Sequence, residues 1–290
     1  MCLAQRSSEY IAKLILLSYI CSIERSVDHL ITKQDEQEHK AILNWLTTVN
    51  YANQQNDAIV RRQDGTGLWL LNSNEFKQWV AEGGMTLFCP GIPGAGKTIM
   101  TSIIVEHLQS RFQSDATTGI AYIYCNFRQQ KQQKPQDLLS SLLKQFVQKQ
   151  PSTLESVKDL YERHKDNQSQ PSVGEISKTL HSVVAGFSRA FIIIDALDEC
   201  QVSDRARNEF VHGLFDLQDK TRANLLVTSR FIPEIIEVFK ESVTLEIHAD
   251  DGDLHKYLDG NVSELPSFVR KSPPLQLEIE TKIVKAADGM

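Results

Sequence analysis

Short apolar runs alternating with helical stretches predict an α/β fold with a mostly parallel sheet. Three observations carry the prediction. Phe191-Ile192-Ile193-Ile194-Asp195 and Asn224-Leu225-Leu226-Val227-Thr228-Ser229-Arg230 are continuous apolar runs, the pattern of strands buried on both faces of a sheet. Helical stretches at Asp204 to Leu217 and Pro233 to Phe239 follow those two runs. A third run, Met85-Thr86-Leu87-Phe88-Cys89, leads directly into a glycine-rich segment and then an amphipathic one.

The 290 residues are 41% apolar and 23% charged, an ordinary globular composition with enough chain for one large or two modest domains. A formal charge of −6 with a pI near 5.8 lacks the basic excess that phosphate backbones require, so the expectation is no nucleic acid. The five cysteines, Cys2, Cys21, Cys89, Cys125 and Cys200, are widely spaced and without a Cys-x-x-Cys pair. That points to a reducing, cytoplasmic compartment rather than a disulfide or zinc framework. The apolar run from Ile11 to Ile23 is interrupted by Lys13 and falls short of the roughly 20 residues of a membrane span. It reads as a packed helix.

In chain order, residues 1–48 read as an N-terminal helical segment and 49–80 as a linker and lead-in, with Asn50 to Asn56 polar and irregular. Phe76, Trp79 and Val80 share one face of a short helix that Ser73 or Asn72 caps; Trp69 and Trp79 read as core. Residues 81–250 carry the alternating pattern. Thr98 to Phe112 is helical, Gly119 to Cys125 a strand, and Pro135 opens a helix that Pro151 ends. Helices follow at Ser152 to Lys165 and Ser172 to Phe187. Val243 to Ile247 alternates, as a strand near the sheet edge does. Residues 251–290 are purely helical, the start of a C-terminal region.

The segment Gly91-Ile92-Pro93-Gly94-Ala95-Gly96-Lys97-Thr98 fits the phosphate-loop pattern Gly, four residues, Gly-Lys-Ser/Thr, between a strand and a helix. Backbone N–H groups must wrap a triphosphate, and glycine permits the positive φ this takes; Gly91, Gly94 and Gly96 supply it. The expected binding residues are Gly91, Pro93, Gly94, Ala95, Gly96, Lys97, Thr98 and Ile99, with Lys97 on the β- and γ-phosphates and Thr98 on Mg²⁺. Asp195, at the carboxyl end of its strand, is the natural second metal residue. Asp198 and Glu199 stand where a carboxylate orients an attacking water, and Arg230 where a guanidinium senses the γ-phosphate, so these three are the catalytic candidates. An ion pair between Arg230 and Asp198 is the simpler alternative. His248 and His255 show no metal spacing.

Gly91 to Thr98, Asp195-Ala196-Leu197-Asp198-Glu199 and Thr228-Ser229-Arg230 together resemble the NACHT domain of STAND-class P-loop NTPases. Gly65-Thr66-Gly67-Leu68-Trp69-Leu70 with Glu75-Phe76 and Trp79 is similar to the nephrocystin-3-like N-terminal module of fungal NLR-type proteins, often joined to ankyrin repeats. The resemblance covers residues 40 to 290. It implies a three-layer α/β/α fold on a five-stranded ASCE-type sheet, with another strand between those carrying Gly91 and Asp195. It further implies a switch domain binding ATP or GTP with Mg²⁺, slow hydrolysis, homo-oligomerisation and a role in signal transduction. Family members continue into a winged helix and repeats, so the expectation for this chain is a truncated product. The competing expectations are a nucleotide-binding interaction module or decoy without turnover, and a metabolic kinase, which lacks a second-substrate motif.

Overall fold

A computed structural model describes residues 33–128, 133–167, 169–200 and 204–287. The expectation of a packed helix at Ile11 to Ile23 lies outside them. The chain divides into two compact units, Met1–Leu46 and Thr47–Met290. In the first, residues 33–46 are helical (α1).

The second unit is built on β1 (Thr86–Pro90), β2 (Thr118–Tyr124), β3 (Arg189–Asp195), β4 (Asn224–Ser229) and β5 (Val243–Thr244), in the order β2-β3-β4-β1-β5. Every pairing is parallel. Helices α2 (Ala52–Val60), α3 (Leu68–Asn72) and α4 (Asn74–Ala81) precede β1, and α5 (Lys97–Arg111) follows it. Between β2 and β3 run α6 (Pro135–Lys149), α7 (Leu154–Lys165) and α8 (Val173–Val184); α9 (Asp204–Thr221) and α10 (Pro233–Val238) make the later crossovers. Helices α11 (Asp251–Asn261), α12 (Ser267–Arg270) and α13 (Pro273–Ala287) complete the described chain. Among the described residues no helix is long and apolar enough to cross a membrane.

The apolar runs become strands because both faces of the sheet are covered. Phe191, Ile192, Ile193 and Ile194 are all fully buried. The Phe191 ring meets Trp79 of α4 at 5.2 Å and Phe112, just past α5, at 5.6 Å, while α6 packs with α8 and α9 on the opposite face. As the resemblance implies, β4 lies between β1 and β3. The edge run pairs as a strand only over Val243–Thr244, yet Leu245 N–H still donates to Phe88 O (2.9 Å) and Ile247 N–H to Pro90 O (2.7 Å).

Helix α2 corrects the expectation of an irregular stretch at Asn50 to Asn56. Its polar Gln55 is buried because its amide is satisfied on both sides, donating to Ser102 O (2.9 Å) and accepting from the Tyr124 hydroxyl. Polar composition therefore hid a packed face. Trp79 is core, with its Nε1–H donated to Leu225 O at 2.8 Å. Trp69 is only half-buried and stands 4.9 Å from the His248 ring. Ser73 caps α4 by accepting from Phe76 N–H.

Entry into β1 is pinned by Asn224, 1% exposed. Its Oδ1 accepts from Gly84 N–H (2.7 Å) and Met85 N–H (3.1 Å), and its Nδ2 donates to Trp79 O (2.5 Å) and Glu82 O (2.7 Å). Truncation strands these backbone groups. Asn224→Ala is expected to lower unfolding free energy in a denaturant titration by about 3 kcal/mol, the upper range for buried groups left unpaired.

Candidate functional site

The strand order sets three chain segments side by side at the carboxyl edge: the loop after β1, the end of β4 and the end of β3. Gly91 N–H extends the ladder by donating to Ser229 O at 3.0 Å. The loop then turns through Gly94 (φ +88°) and Gly96 (φ +86°), values at which a side chain is strained. Gly91 corrects its expected role, since its φ is not positive. A Cβ there would stand 2.4 Å from Ile247 O, so this glycine admits a neighbouring backbone rather than a turn. Pro93 is exposed at the loop tip and Ala95 is buried beneath it.

Lys97 opens α5 and donates its Nζ to Gly91 O (2.7 Å) and Ile92 O (2.8 Å). Burial pulls its pKa down, opposed by the carboxylates of Asp198 and Asp195. Thr98 Oγ1 donates to Asp195 Oδ2 at 2.7 Å. Asp195 is 2% exposed, and burial raises its pKa against the hydrogen bonds from Thr98, Thr228 and Thr101. Thr101 Oγ1 reaches Oδ1 at 2.9 Å and Thr228 Oγ1 reaches it at 2.7 Å. Thr228 Oγ1 also accepts from Ala196 N–H at 2.9 Å. Ala196 itself is held at φ +52°, and the chain leaves it in a single 3₁₀ turn, Leu197–Glu199.

That turn separates the two acids. The Asp198 side chain is 1% exposed; its Oδ1 accepts from Arg230 N–H (2.9 Å) and its Oδ2 from Arg230 Nε (2.5 Å). This pair raises the Arg230 pKa. Glu199 makes a weaker contact, with Oε2 accepting from Phe127 N–H at 3.4 Å.

A cavity of about 260 Å³ adjoins the loop, walled by Gly94, Gly96 and Ile99 on one side, Gln63 and Thr66 on another, and His248, Asp253 and Tyr257 on a third. A larger groove of about 690 Å³ lies along Leu68, Leu71, Glu106 and His107, lined by none of Lys97, Asp195 and Glu199. Two contacts hold α11 against the turn that walls the cavity: Gly67 N–H donates to Asp253 Oδ2, and Lys256 Nζ to Gly65 O, both at 2.7 Å.

Sequence reading missed Thr101, Thr228 and the α11 wall. Thr101 carried a signal, since it lies three residues after Thr98 and so on the same helix face. For Asp253 and Lys256 there was none, because their partners are 186 and 191 positions away.

A parallel β2-β3-β4-β1-β5 sheet, with the glycine loop after β1 and the acid ending β3, defines a P-loop nucleotide-binding domain. The family model described as "Nephrocystin 3, N-terminal" matches residues 65–230, more than half of the sequence, and the chain belongs to that family. No curated protein matches it. Similar solved structures include the Aeropyrum pernix ORC1 protein in complex with DNA, 14% identical over 77% of this chain and 52% of that chain, with a TM-score of 0.43. Drosophila ORC bound to DNA is 16% identical over 81% of this chain and 55% of that one, TM-score 0.44. Replication initiator DnaA bound to AMPPCP and single-stranded DNA is 14% identical over 83% and 66%, TM-score 0.41. The chain thus spans about half to two thirds of the length of these structures. All three contain DNA, so the exclusion of nucleic acid from the acidic balance does not stand. A net charge sums over the whole surface and says nothing of its distribution.

The two kinds of glycine separate in stability measurements. Gly91→Ala, which drives a methyl into the Ile247 carbonyl, is expected to cost about 2–3 kcal/mol. Gly94→Ala meets nothing within 4 Å and is expected to cost only the left-handed backbone, about 1 kcal/mol. Paired denaturant titrations check the order.

Proposed function

We propose that the chain is a Mg²⁺-dependent nucleoside-triphosphate switch of the NACHT type within the STAND class, taking ATP or GTP and turning it over slowly. One observation carries the reading: Thr98 Oγ1 lies 2.7 Å from Asp195 Oδ2, joining loop and strand from positions 97 apart. The donor set suits the ion, since a hydroxyl and a carboxylate are hard oxygens. Neighbouring ligands of an octahedral Mg²⁺ at about 2.1 Å stand about 3.0 Å apart, so a small opening of the 2.7 Å pair admits the ion. The loop also suits the anion, because a side chain's worth of space stays open at Gly94 and Gly96.

Lys97 would leave the Gly91 and Ile92 carbonyls for the β- and γ-phosphates, while backbone N–H groups from Gly94 to Thr98 and the α5 N-terminus receive the remaining charge. Thr98 and Asp195 would hold Mg²⁺, which supplies charge neutralisation between the phosphates. The nucleoside would occupy the cavity beyond Ile99. Of the two acids, Glu199 is the better water-orienting group, since Asp198 is committed to Arg230. Arg230, 47% exposed and aimed by Asp198, would sense the γ-phosphate. A cytoplasmic setting accords with the buried, reduced thiols of Cys89, Cys125 and Cys200. Signalling of the fungal NLR type is the biological role the family resemblance supports.

Lys97→Ala is expected to weaken binding of a fluorescent triphosphate by about 100-fold or more; unchanged affinity sinks the assignment. Glu199→Gln is expected to leave binding intact and cut phosphate release by about 100-fold. Tight nucleotide retention with no release in the wild type would instead favour the non-hydrolysing interaction module.

A further inference from the structure

The two oxygens of Asp195 are held unequally. Oδ2 receives Thr98 Oγ1, whereas Oδ1 receives two hydroxyls, Thr101 Oγ1 at 2.9 Å and Thr228 Oγ1 at 2.7 Å. Thr228 ends the neighbouring strand and has a second task at Ala196 N–H. Thr101 has no place in the phosphate-loop pattern and is fully buried, one turn along α5 from Thr98.

A threonine inside a helix commonly turns its hydroxyl back to the carbonyl of the preceding turn. Thr101 turns its hydroxyl to the carboxylate instead, and branching at Cβ stiffens that choice. With Oδ1 clamped between α5 and β4, the carboxylate plane cannot rotate, and Oδ2 stays beside the Thr98 hydroxyl.

We propose that Thr101 is a positioning residue for the divalent cation: by anchoring Oδ1 it presents Asp195 Oδ2 and Thr98 Oγ1 as a preset pair of oxygen ligands. The role rests on the reading of this site as a Mg²⁺–nucleotide site. It differs from mere satisfaction of a buried acid in what it predicts for the metal alone.

The test titrates Mg²⁺ into the full chain with N-methylanthraniloyl ATP and repeats the nucleotide titration in EDTA. Thr101→Val is expected to raise the Mg²⁺ concentration required by about 10-fold, the lower end for loss of a ligand's outer partner. Binding in EDTA should be unchanged, and Thr101→Ser should restore the wild-type requirement. An unaltered Mg²⁺ requirement in Thr101→Val, an equal loss with and without Mg²⁺, or failure of serine to rescue overturns the positioning role. If Thr101→Val does not fold, Thr101→Cys takes its place, because a thiol is a weaker donor of similar size. A raised Mg²⁺ requirement is expected there too, and an unaltered one overturns the proposal. A wild type whose nucleotide binding ignores Mg²⁺ overturns the site reading and this inference with it; Mg²⁺-dependent wild-type binding beside an unchanged Thr101→Val overturns the inference alone.

Discussion

One buried carboxylate organises the carboxyl edge of the sheet. Asp195 is 2% exposed at the end of a strand whose four preceding residues are fully buried, where an unsupported charge costs several kcal/mol. Three hydroxyls support it, two from α5 and one from β4. For those hydroxyls to arrive, α5 must cross the sheet at β3 and β4 must lie beside it. Helix α5 packs on β3, and the strand order β2-β3-β4-β1-β5 sets β4 beside it.

The same edge shows how backbone and side chain divide the work. The loop after β1 uses Gly91 to admit the Ile247 carbonyl and Gly94 and Gly96 to turn the chain. Beyond β3, Ala196 accepts a left-handed conformation while its N–H is held by Thr228. That turn buries Asp198 against Arg230 and, among the described residues, sets Glu199 at a weak contact with Phe127 N–H. Adjacent acids in sequence thus acquire different chemical freedom.

The cavity beside the loop is a composite. Gln63 and Thr66 form one wall and residues from His248 to Tyr257 another, with α11 tied to the glycine turn through Asp253 and Lys256. The family match ends at residue 230, so this last wall lies beyond it.

The phosphate loop, the buried strands and the acid at the end of β3 were legible in the sequence because each is a local pattern. Apolar runs report burial on both faces, and glycine spacing reports a turn. Helix α2 was not legible, since Gln55 is buried by bonds to Ser102 and Tyr124 that no polarity scale registers. Nor was the different setting of Asp198 and Glu199, the first held by Arg230 and the second turned toward Phe127 N–H. Sequence by itself determined which segments form strands and where the glycine loop turns between strand and helix. Only the tertiary structure decided which hydroxyls hold Asp195, which acid Arg230 holds and what walls the cavity. The physical reason is distance along the chain: local steric and hydrophobic rules write a periodic trace, whereas a hydrogen bond between residues 97 or 186 positions apart leaves none.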